Sequence, residues 1–559
     1  MLWYCPRAQT RAITDGPIVA ERRVSGIETA EQSGAGHAID RVSTGVAAFI
    51  GRCLKGPLNR PLIVTSFSEF SQQFGGLWQP STLSYAVEQF FENGGREAFI
   101  VRVANGARPP SLTLPAGPEQ LKLIALHPGS REFLRASVDY DGIGESEPDR
   151  FNLVLQRVRA AGSELIEEQE IFRRLSVLAE SGRLVSDILL DSRLARVIGP
   201  MPQRRPDRSV RNPESPIVGY INSNTDGDDG GPLTDYDVIG SATEATGLFS
   251  LRVNARFNLL CIPPLTREHD VGLSTLMIAA RFCRDVHAML IVDPPASWQS
   301  ASQALTELRQ WPFRSENAVM YFPRVVALDR LRGRHETFGS CGAAAGLIAR
   351  TDETWPVWAA AEGEDSILRP GLRTASVVTD PDRVRLAQAG VNTLVSVRST
   401  QRNASSPRTL AAGSSGSPDW KYLSARRLSL FVTASVERGT RWMVFEPNAD
   451  EMWERARRQV ESFLDSLDQQ GAFAGSTPEE SYFVICDSRV NQSRTVAEGK
   501  FKVLFGVAIT KPSDFHAWLI THTANGSTCR PTWPNRQATS GRRLEWEIET
   551  AILRGILIE

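Results

Sequence analysis

Between residues 257 and 324 the chain alternates with a regularity that leaves few folds open. Asn258-Leu259-Leu260-Cys261-Ile262-Pro263 is a short apolar run, residues 272–286 read as a helix, and Ala288-Met289-Leu290-Ile291-Val292-Asp293 is a second apolar run. Residues 298–311 read as a second helix, and Val319-Met320-Tyr321-Phe322 closes the block. Apolar strands separated by helix-length segments predict a βαβαβ unit, hence a parallel sheet with right-handed crossovers. The expected class is α/β with α+β elements elsewhere.

A chain of 559 residues holds several domains at about one per 100 to 200 residues. Its 63 Lys and Arg against 64 Asp and Glu give no overall field toward nucleic acid or an acidic membrane. No basic run with interleaved aromatics supplies a local one, so no nucleic-acid partner is expected. Cys5, Cys53, Cys261, Cys283, Cys341, Cys486 and Cys529 are scattered and never spaced C-x-x-C, which points to a reducing compartment and away from zinc. The opening MLWYCPRAQTR lacks a signal-peptide core, and no run approaches the ~20 apolar residues of a spanning helix. Synthesis in the cytoplasm and no direct membrane insertion are the expectations.

The stretch GVAAFIGRCLKGP (residues 45–57) carries glycines and two cations, yet it has neither G-x-x-x-x-G-K-[ST] nor G-x-G-x-x-G, and Pro57 removes a donor. With Leu62-Ile63-Val64-Thr65 after it, the reading is strand, turn, strand. From Pro80-Ser81 a helix places Leu83, Ala86, Val87, Phe90 and Phe91 on one face, Asn93-Gly94-Gly95 ends it, and Ala98–Val103 reads as a buried strand. From about 105 to 215 the pattern loosens into a polar, arginine-rich, partly β insertion. Asp226-Gly227-Asp228-Asp229 lacks the twelve-residue calcium loop and reads as a solvated turn.

Asp293 ends a strand at the side of an open α/β sheet where ligands bind, which makes it the leading catalytic candidate. His269 and His287 are near in sequence, but no nucleophile-and-base signature accompanies them. The structural reading is a strand-ending turn at Asp293-Pro294-Pro295. Farther on, Arg441–Asn448 reads as a strand leading into a helix, with Asn448 and Glu451 as its capping box. Trp453, Ala456, Val460, Phe463, Leu464 and Leu467 form that helix's apolar face and Gly471 closes it. Glu454, Arg455, Arg458, Glu461, Asp465 and Asp468 form its opposite, mixed-charge face.

Several collinear stretches between about 40 and 520 carry a resemblance. GVAAFIGRCLKGP, Phe70–Leu77, the AVEQFFENGGREAFIVRV run of 86–103, Glu437–Asn448 and Val503–Phe515 together resemble the tail sheath proteins of contractile bacteriophages and contractile injection systems, tailocins included. The resemblance implies a non-enzymatic structural subunit that polymerises with itself as stacked hexameric rings around an inner tube and contracts to drive the tube into a target. It implies no cofactor; its partners are the tube, baseplate and terminator proteins, and its location is a phage tail or injection-system particle. A core domain assembled from N- and C-terminal parts with inserted middle domains is the implied architecture. The expected division is an arm at 1–40, the first part of the core at 41–105, the insertion at 106–215 and an α/β domain at 216–384. The C-terminal part of the core with a terminal arm follows at 385–524, then an extension at 525–559.

Two interaction sites follow. Glu454, Arg455, Arg458, Glu461 and Asp465 are expected to face the tube, and His516, Ala517, Trp518, Leu519, Ile520 and Thr521 to form an arm that adds to a neighbour's sheet edge. His516 and His522 lie about 20 Å apart on one strand face at ~3.3 Å per residue, so no metal site is expected. The family's opening motif appears only loosely at Gly16–Arg23, and the apolar LEWEIETAILRGILIE end has no counterpart in the family pattern. The competing reading, from another class, is an α/β enzyme with its site near Asp293.

Overall fold

Seven strands drawn from both ends of a long chain segment meet in one sheet at the centre of the computed structural model, which describes residues 38–209, 219–359, 367–396, 406–413 and 419–534. The expected arm before residue 38 and the chain after 534 lie outside the described residues.

The first part builds β1 (Ala47–Gly51), β2 (Leu62–Val64), α1 (Phe67–Phe74), α2 (Thr82–Glu92) and β3 (Ala98–Arg102). Ser81 caps α2 by accepting from Ser84 N, as its position before the apolar face predicts. The insertion then contributes β4 (Ser111–Ala116), β5 (Glu119–Ala125), β6 (Phe133–Asp139), β7 (Arg150–Val158), β8 (Ile166–Ser176), the short α3 (Val185–Ile188), β9 (Ala195–Ile198) and β10 (Ile221–Asn222). These strands make two antiparallel sheets, β4-β5-β9 and β10-β6-β7-β8, over a core of their own that includes Leu112, Leu121, Leu134, Phe151 and Leu155.

The chain returns through α4 (Asp235–Ile239) and α5 (Leu251–Asn254) to β11 (Leu259–Cys261), α6 (Leu273–Asp285), β12 (Met289–Val292), α7 (Ala301–Gln310) and β13 (Ala318–Phe322). This is the predicted βαβαβ unit, with β11-β12 and β12-β13 both parallel. After it come β14 (Val325–Asp329), β15 (Arg334–Phe338), α8 (Cys341–Thr354), β16 (Arg373–Thr374), α9 (Asp380–Gln388) and β17 (Val391–Thr393). The central sheet runs β17-β13-β12-β11-β1-β3-β2, parallel except for β2. Its faces bury alternate residues: Phe49, Cys261, Ile291 and Tyr321 lie under α2 and α8, while Ile50, Leu260, Leu290 and Phe322 lie in the core of α6 and α7. Burial on both sides is why these strands read as continuous apolar runs. Helices α2 and α8 approach backbone to backbone, because a Cβ on Gly342 would come within 2.1 Å of Ala86 O and one on Gly346 within 2.4 Å of Phe90 O.

The C-terminal part holds α10 (Leu423–Thr440), α11 (Asp450–Asp468), α12 (Pro478–Ser481), β18 (Tyr482–Ile485), α13 (Ser493–Ala497), β19 (Phe501–Ala508), β20 (Phe515–Thr523) and β21 (Gly526–Pro534). Its sheet is antiparallel in the order β18-β19-β20-β21. Helix α10 joins the two bodies: Leu423 and Leu430 pack in the central core, Leu428, Phe431, Val432 and Val436 in the C-terminal one. Ile39 also sits in the C-terminal core, so the start of the described chain does reach the C-terminal part.

Several boundaries move from their expected places. β1 pairs directly with β11, so 41–105 and 216–384 share one sheet, and β17 extends that sheet past 384. The insertion ends near 231 rather than 215, since Asn105 bridges Gly231 and Arg108 bridges Asp228 across its neck. The Asp226–Asp229 turn is the clasp of that neck and not a merely solvated turn. Asp226 accepts from Ser111 N (2.8 Å) and Oγ (2.6 Å), Asp229 from Ser130 N (2.9 Å) and Oγ (2.6 Å). The Ser111 hydrogen bonds hold the Asp226 carboxyl below the usual carboxylate range. Arg102, buried at 1% exposure, donates to Gly56 O at 2.6 Å and Pro128 O at 2.8 Å, and so ties the 45–57 loop to the insertion.

The expected strand at 441–448 is instead a 3-10 turn, Arg441–Phe445, that continues α10. Only Met443 of that turn is fully buried, so it has no strand face to pack against a sheet. The capping box at Asn448 is absent too. Ala449 is the N-cap of α11, and Asn448 instead accepts from Trp453 Nε1 at 2.6 Å and donates to Lys500 O at 2.9 Å.

Candidate functional site

Asp293 stands where the sequence places it, just past the carboxyl end of β12, with one carboxylate oxygen engaged and the other, Oδ2, buried without a hydrogen-bond partner. Oδ1 accepts from Ser340 N, from Ser340 Oγ at 3.3 Å and from Cys341 N at 2.8 Å. Ser340, the N-cap residue of α8, makes no side-chain cap bond of its own, so Asp293 caps that helix from the neighbouring strand. Burial raises the carboxyl above its usual range, opposed by Arg324 and the α8 amides. Neither expected histidine joins it. His269 meets Thr266 Oγ1 at 3.2 Å in its own turn, and His287 pairs with Glu437 on α10 at 2.8 Å. Among the described residues no group of three or more His, Cys, Asp or Glu is placed to hold a metal ion.

The turn reading of Asp293 therefore changes to a cap, with a measurable consequence. Asp293→Ala is expected to lower stability by about 1–2 kcal/mol, the usual cost of a lost N-cap, and Asp293→Asn by less because its amide oxygen still accepts. Urea denaturation monitored by tryptophan fluorescence measures both; an unchanged midpoint for the Ala variant would remove the cap.

The α11 surface divides. Trp453, Ala456, Val460, Phe463, Leu464 and Leu467 are buried as their spacing predicts, and Met452 joins them. On the outer side Glu454 pairs with Arg457 at 2.9 Å and Arg458 at 3.3 Å, and Arg455 pairs with Glu446 at 3.0 Å. Arg457, which the sequence reading passed over, is the hub, since it also reaches Glu461 at 3.8 Å. Its i,i+3 and i,i+4 spacing to the two glutamates was the available signal. Asp465 turns instead toward β18, while Glu461 stays beside Arg457. Burial pushes the Tyr482 hydroxyl up to about 12, and the neighbouring Asp465, Glu461 and Asp468 carboxylates add to it. The outward charges are thus Glu454, Arg455, Arg457, Arg458 and Glu461.

The expected arm is corrected. His516, Ala517, Trp518, Leu519, Ile520 and Thr521 form the body of β20, paired to β19 on one side (Val507↔His516 through Phe501↔His522) and to β21 on the other (Thr523↔Gly526 through His516↔Pro534). A strand bonded along both edges has no free row of N–H and C=O groups to donate. The signal missed was Asn525-Gly526 between two β-rich runs, a hairpin mark that brings β21 back onto β20. Residues 526–534 accordingly belong to this sheet rather than to an extension. Among the described strands its once-paired edges are β18 and β21.

Compared by sequence alone, the chain matches no family model and no curated protein. Compared by structure, it is similar to the sheath tail protein Lin1278 from Listeria innocua, with a TM-score of 0.56 at 10% identity over 87% of this chain and 96% of that one. The sheath complex of an extracellular contractile injection system, PVC, in its contracted state aligns over 89% and 97% at a TM-score of 0.49 and 16% identity. A sheath tail protein from Desulfitobacterium hafniense aligns over 89% and 99% at 0.48 and 11%. The likeness to the Listeria protein gives the fold: a multi-domain α+β arrangement shared over nearly its full length.

Proposed function

We propose that this chain, which has the fold of a tail sheath protein, is the structural subunit of a contractile sheath. It polymerises with itself as stacked hexameric rings around an inner tube, ends on baseplate and terminator proteins, and contracts by rigid-body rearrangement to drive the tube outward. It is made in the bacterial cytoplasm and works in a phage tail or injection-system particle, with no catalysis and no cofactor. The observation that carries the reading is the fold likeness to a sheath tail protein over 87% of the chain. Among the described residues no helix is long and apolar enough to cross a membrane, which agrees with a particle component. The engagement of Asp293 as the cap of α8 weighs against the enzyme reading.

Negative-stain electron microscopy of the purified protein tests this. Long hollow tubes are expected; monomers alone, at concentrations and salts that polymerise other sheaths, would remove it. In the assembled lattice the once-paired edges at β18 and β21 take the joining role first given to β20.

The outward charges of α11 face the tube in this reading. Exposed ion pairs contribute only about 0 to 1 kcal/mol each, which suits a surface that must hold and then slide. Reversing Arg455→Glu and Arg458→Glu together is expected to weaken co-sedimentation with tubes several-fold at low salt while the monomer folds normally. Unchanged co-sedimentation would count against this docking face.

A further inference from the structure

Helix α10 joins the two bodies, and histidines from both sides of that joint pack against it. From the central sheet, His287 Nε2 lies 2.8 Å from Glu437 Oε2. From β20, His516 and His522 reach the two ends of the helix. The His516 ring centre lies 4.4 Å from that of Trp420, just before α10, and the Arg426 guanidinium lies 4.9 Å from the same ring. His522 Nε2 lies 2.8 Å from Oγ1 of Thr440, the last residue of α10. The helix from Arg426 to Thr440 and the strand from His516 to His522 each span about 20 Å, so the strand lies along the helix with a histidine at either end.

Both β20 histidines are placed to be neutral. Thr440 Oγ1 donates to Val436 O at 2.7 Å, so it accepts from His522 Nε2–H, and the Nδ1 lone pair takes the Ser527 hydroxyl proton at 2.6 Å. A proton on Nδ1 would face that hydroxyl proton in a fully buried site, beside the Phe501 ring at 5.9 Å. The charges in reach are Glu437, which favours the proton, and Arg441, which opposes it. His516 Nε2 is buried without a hydrogen-bond partner, so a proton there has no acceptor. Burial holds this ring below the usual histidine range; Asp419, Asp514 and Glu316 pull the other way and Arg426 adds to the effect. On its central side α10 is held differently, by Arg427 on Asp352, by Arg426 NH2 on Asn317 Oδ1 at 2.7 Å, and by Glu437 on His287, where a proton on the ring would strengthen the contact.

We propose that the contact between α10 and the β18–β21 sheet is an acid-released seam: protons taken up by His522 and His516 open the sheet away from α10, while α10 stays on the central body. Above about pH 6.5 the two rings are neutral in the closed and opened forms alike. As the pH falls, the opened form takes protons that the closed one refuses, so opening becomes easier. The released sheet carries the once-paired edges β18 and β21. In the sheath reading, on which this consequence alone rests, the seam divides the joining part of a subunit from its body.

Cys529 on β21 reports the seam, since it pairs across to Ile520, on the sheet face of His522, and its thiol feels both Glu437 and Arg426 of α10. Cys261, Cys283 and Cys341 are buried in the central body. The full chain is treated with a pyridyl disulfide, which reacts with thiols in mild acid, and the rate at each cysteine is divided by its rate in the urea-unfolded chain at the same pH. Burial pulls His522 down to about 4, against ~6.5 for a free histidine, so the relative reactivity of Cys529 is expected to rise about twentyfold from pH 7 to pH 5. It should also run ahead of the three central cysteines. In His522→Gln most of the rise should go, and in the His516→Gln/His522→Gln pair all of it. Equal rates at all four cysteines at pH 5 would mean that the whole chain opens at once and would overturn the seam. No rise in the parent, or an undiminished rise in the variants, removes the histidines from it. Full reactivity of Cys529 at pH 7 would mean that the sheet never closes on α10 and likewise overturns the proposal. Where the double variant does not fold, the order of labelling in the parent and the pH response of His522→Gln decide.

Discussion

Replacing Asp352 by Ala is expected to cost about 3–5 kcal/mol, the usual penalty for stranding a buried charge. Asp352 on α8 and Arg427 on α10 form a two-pronged pair. Arg427 NH1 donates to Oδ1 at 2.8 Å, NH2 to Oδ2, and NH2 also to Thr44 O at 3.1 Å. The Arg427 and Asp352 side chains are only 10% and 5% exposed, so without its carboxylate the guanidinium has neither water nor a counter-charge. The pair lies where α10 joins the central sheet to the C-terminal part, and its loss should loosen that junction first. Asp352→Asn is expected to cost less. Replacing both residues by leucine should recover most of the stability, because a buried ion pair exchanged for apolar packing is often near neutral. Denaturation of the transition shared by α8 and α10 measures the three variants. A shift below about 1 kcal/mol for Asp352→Ala would place the pair among weak surface contacts.

Acidification should unfold the protein in part through one histidine. His522 on β20 is fully buried, with Nε2 2.8 Å from Thr440 Oγ1 and Nδ1 2.6 Å from Ser527 Oγ. Burial pulls its pKa down to about 4, against the favourable charge of Glu437. Above about pH 6.5 it is neutral folded or unfolded and costs nothing. As pH falls toward 4 the unfolded chain takes a proton that the folded one refuses, so stability is lost across that window, in total about 3 kcal/mol. His127 in the insertion, also pulled down to about 4 by burial and then by Arg157, Arg102 and Arg60, acts in the same direction. Glu88, pushed up to about 7 by burial and then by Glu92, acts in the opposite one. The informative quantity is therefore the stability difference between the parent and His522→Gln, whose side chain does not titrate. That difference should shrink by about 3 kcal/mol between pH 7 and pH 4. A constant difference would mean that His522 is solvated or already charged.

Local pattern carried the central block because its physics is local. Runs such as 259–262 and 288–292 are apolar on every position, a helix of the right length separates each pair, and a parallel sheet is the arrangement that buries both faces. The buried face of α11 was legible for the same reason, since six apolar residues at helical spacing have one place to go. The caps at Ser81 and the close of α2 at Asn93-Gly94 are equally short-range. The family resemblance rested on such stretches taken together, and the fold agrees with it.

What the sequence did not decide was which strand edges stay open, which charges face outward and which polar groups are already used. Those depend on partners far away along the chain. β20 looked like a donor strand until Gly526–Pro534 folded back to cover its second edge. Asp293 looked like a catalytic carboxylate until α8 brought two amides to it from 47 and 48 residues away. The α11 charges looked like one face until β18 took Asp465 as a neighbour of Tyr482. A side chain's type and the period of its neighbours are properties of a short window, whereas whether its hydrogen bonds and charge are satisfied is a property of the whole packing. By itself, then, the sequence determined the parallel block of the central sheet and the buried face of α11. Only the tertiary structure decided that Phe445 stays exposed beside a self-neutralised charged helix, because that depends on what the rest of the chain leaves uncovered.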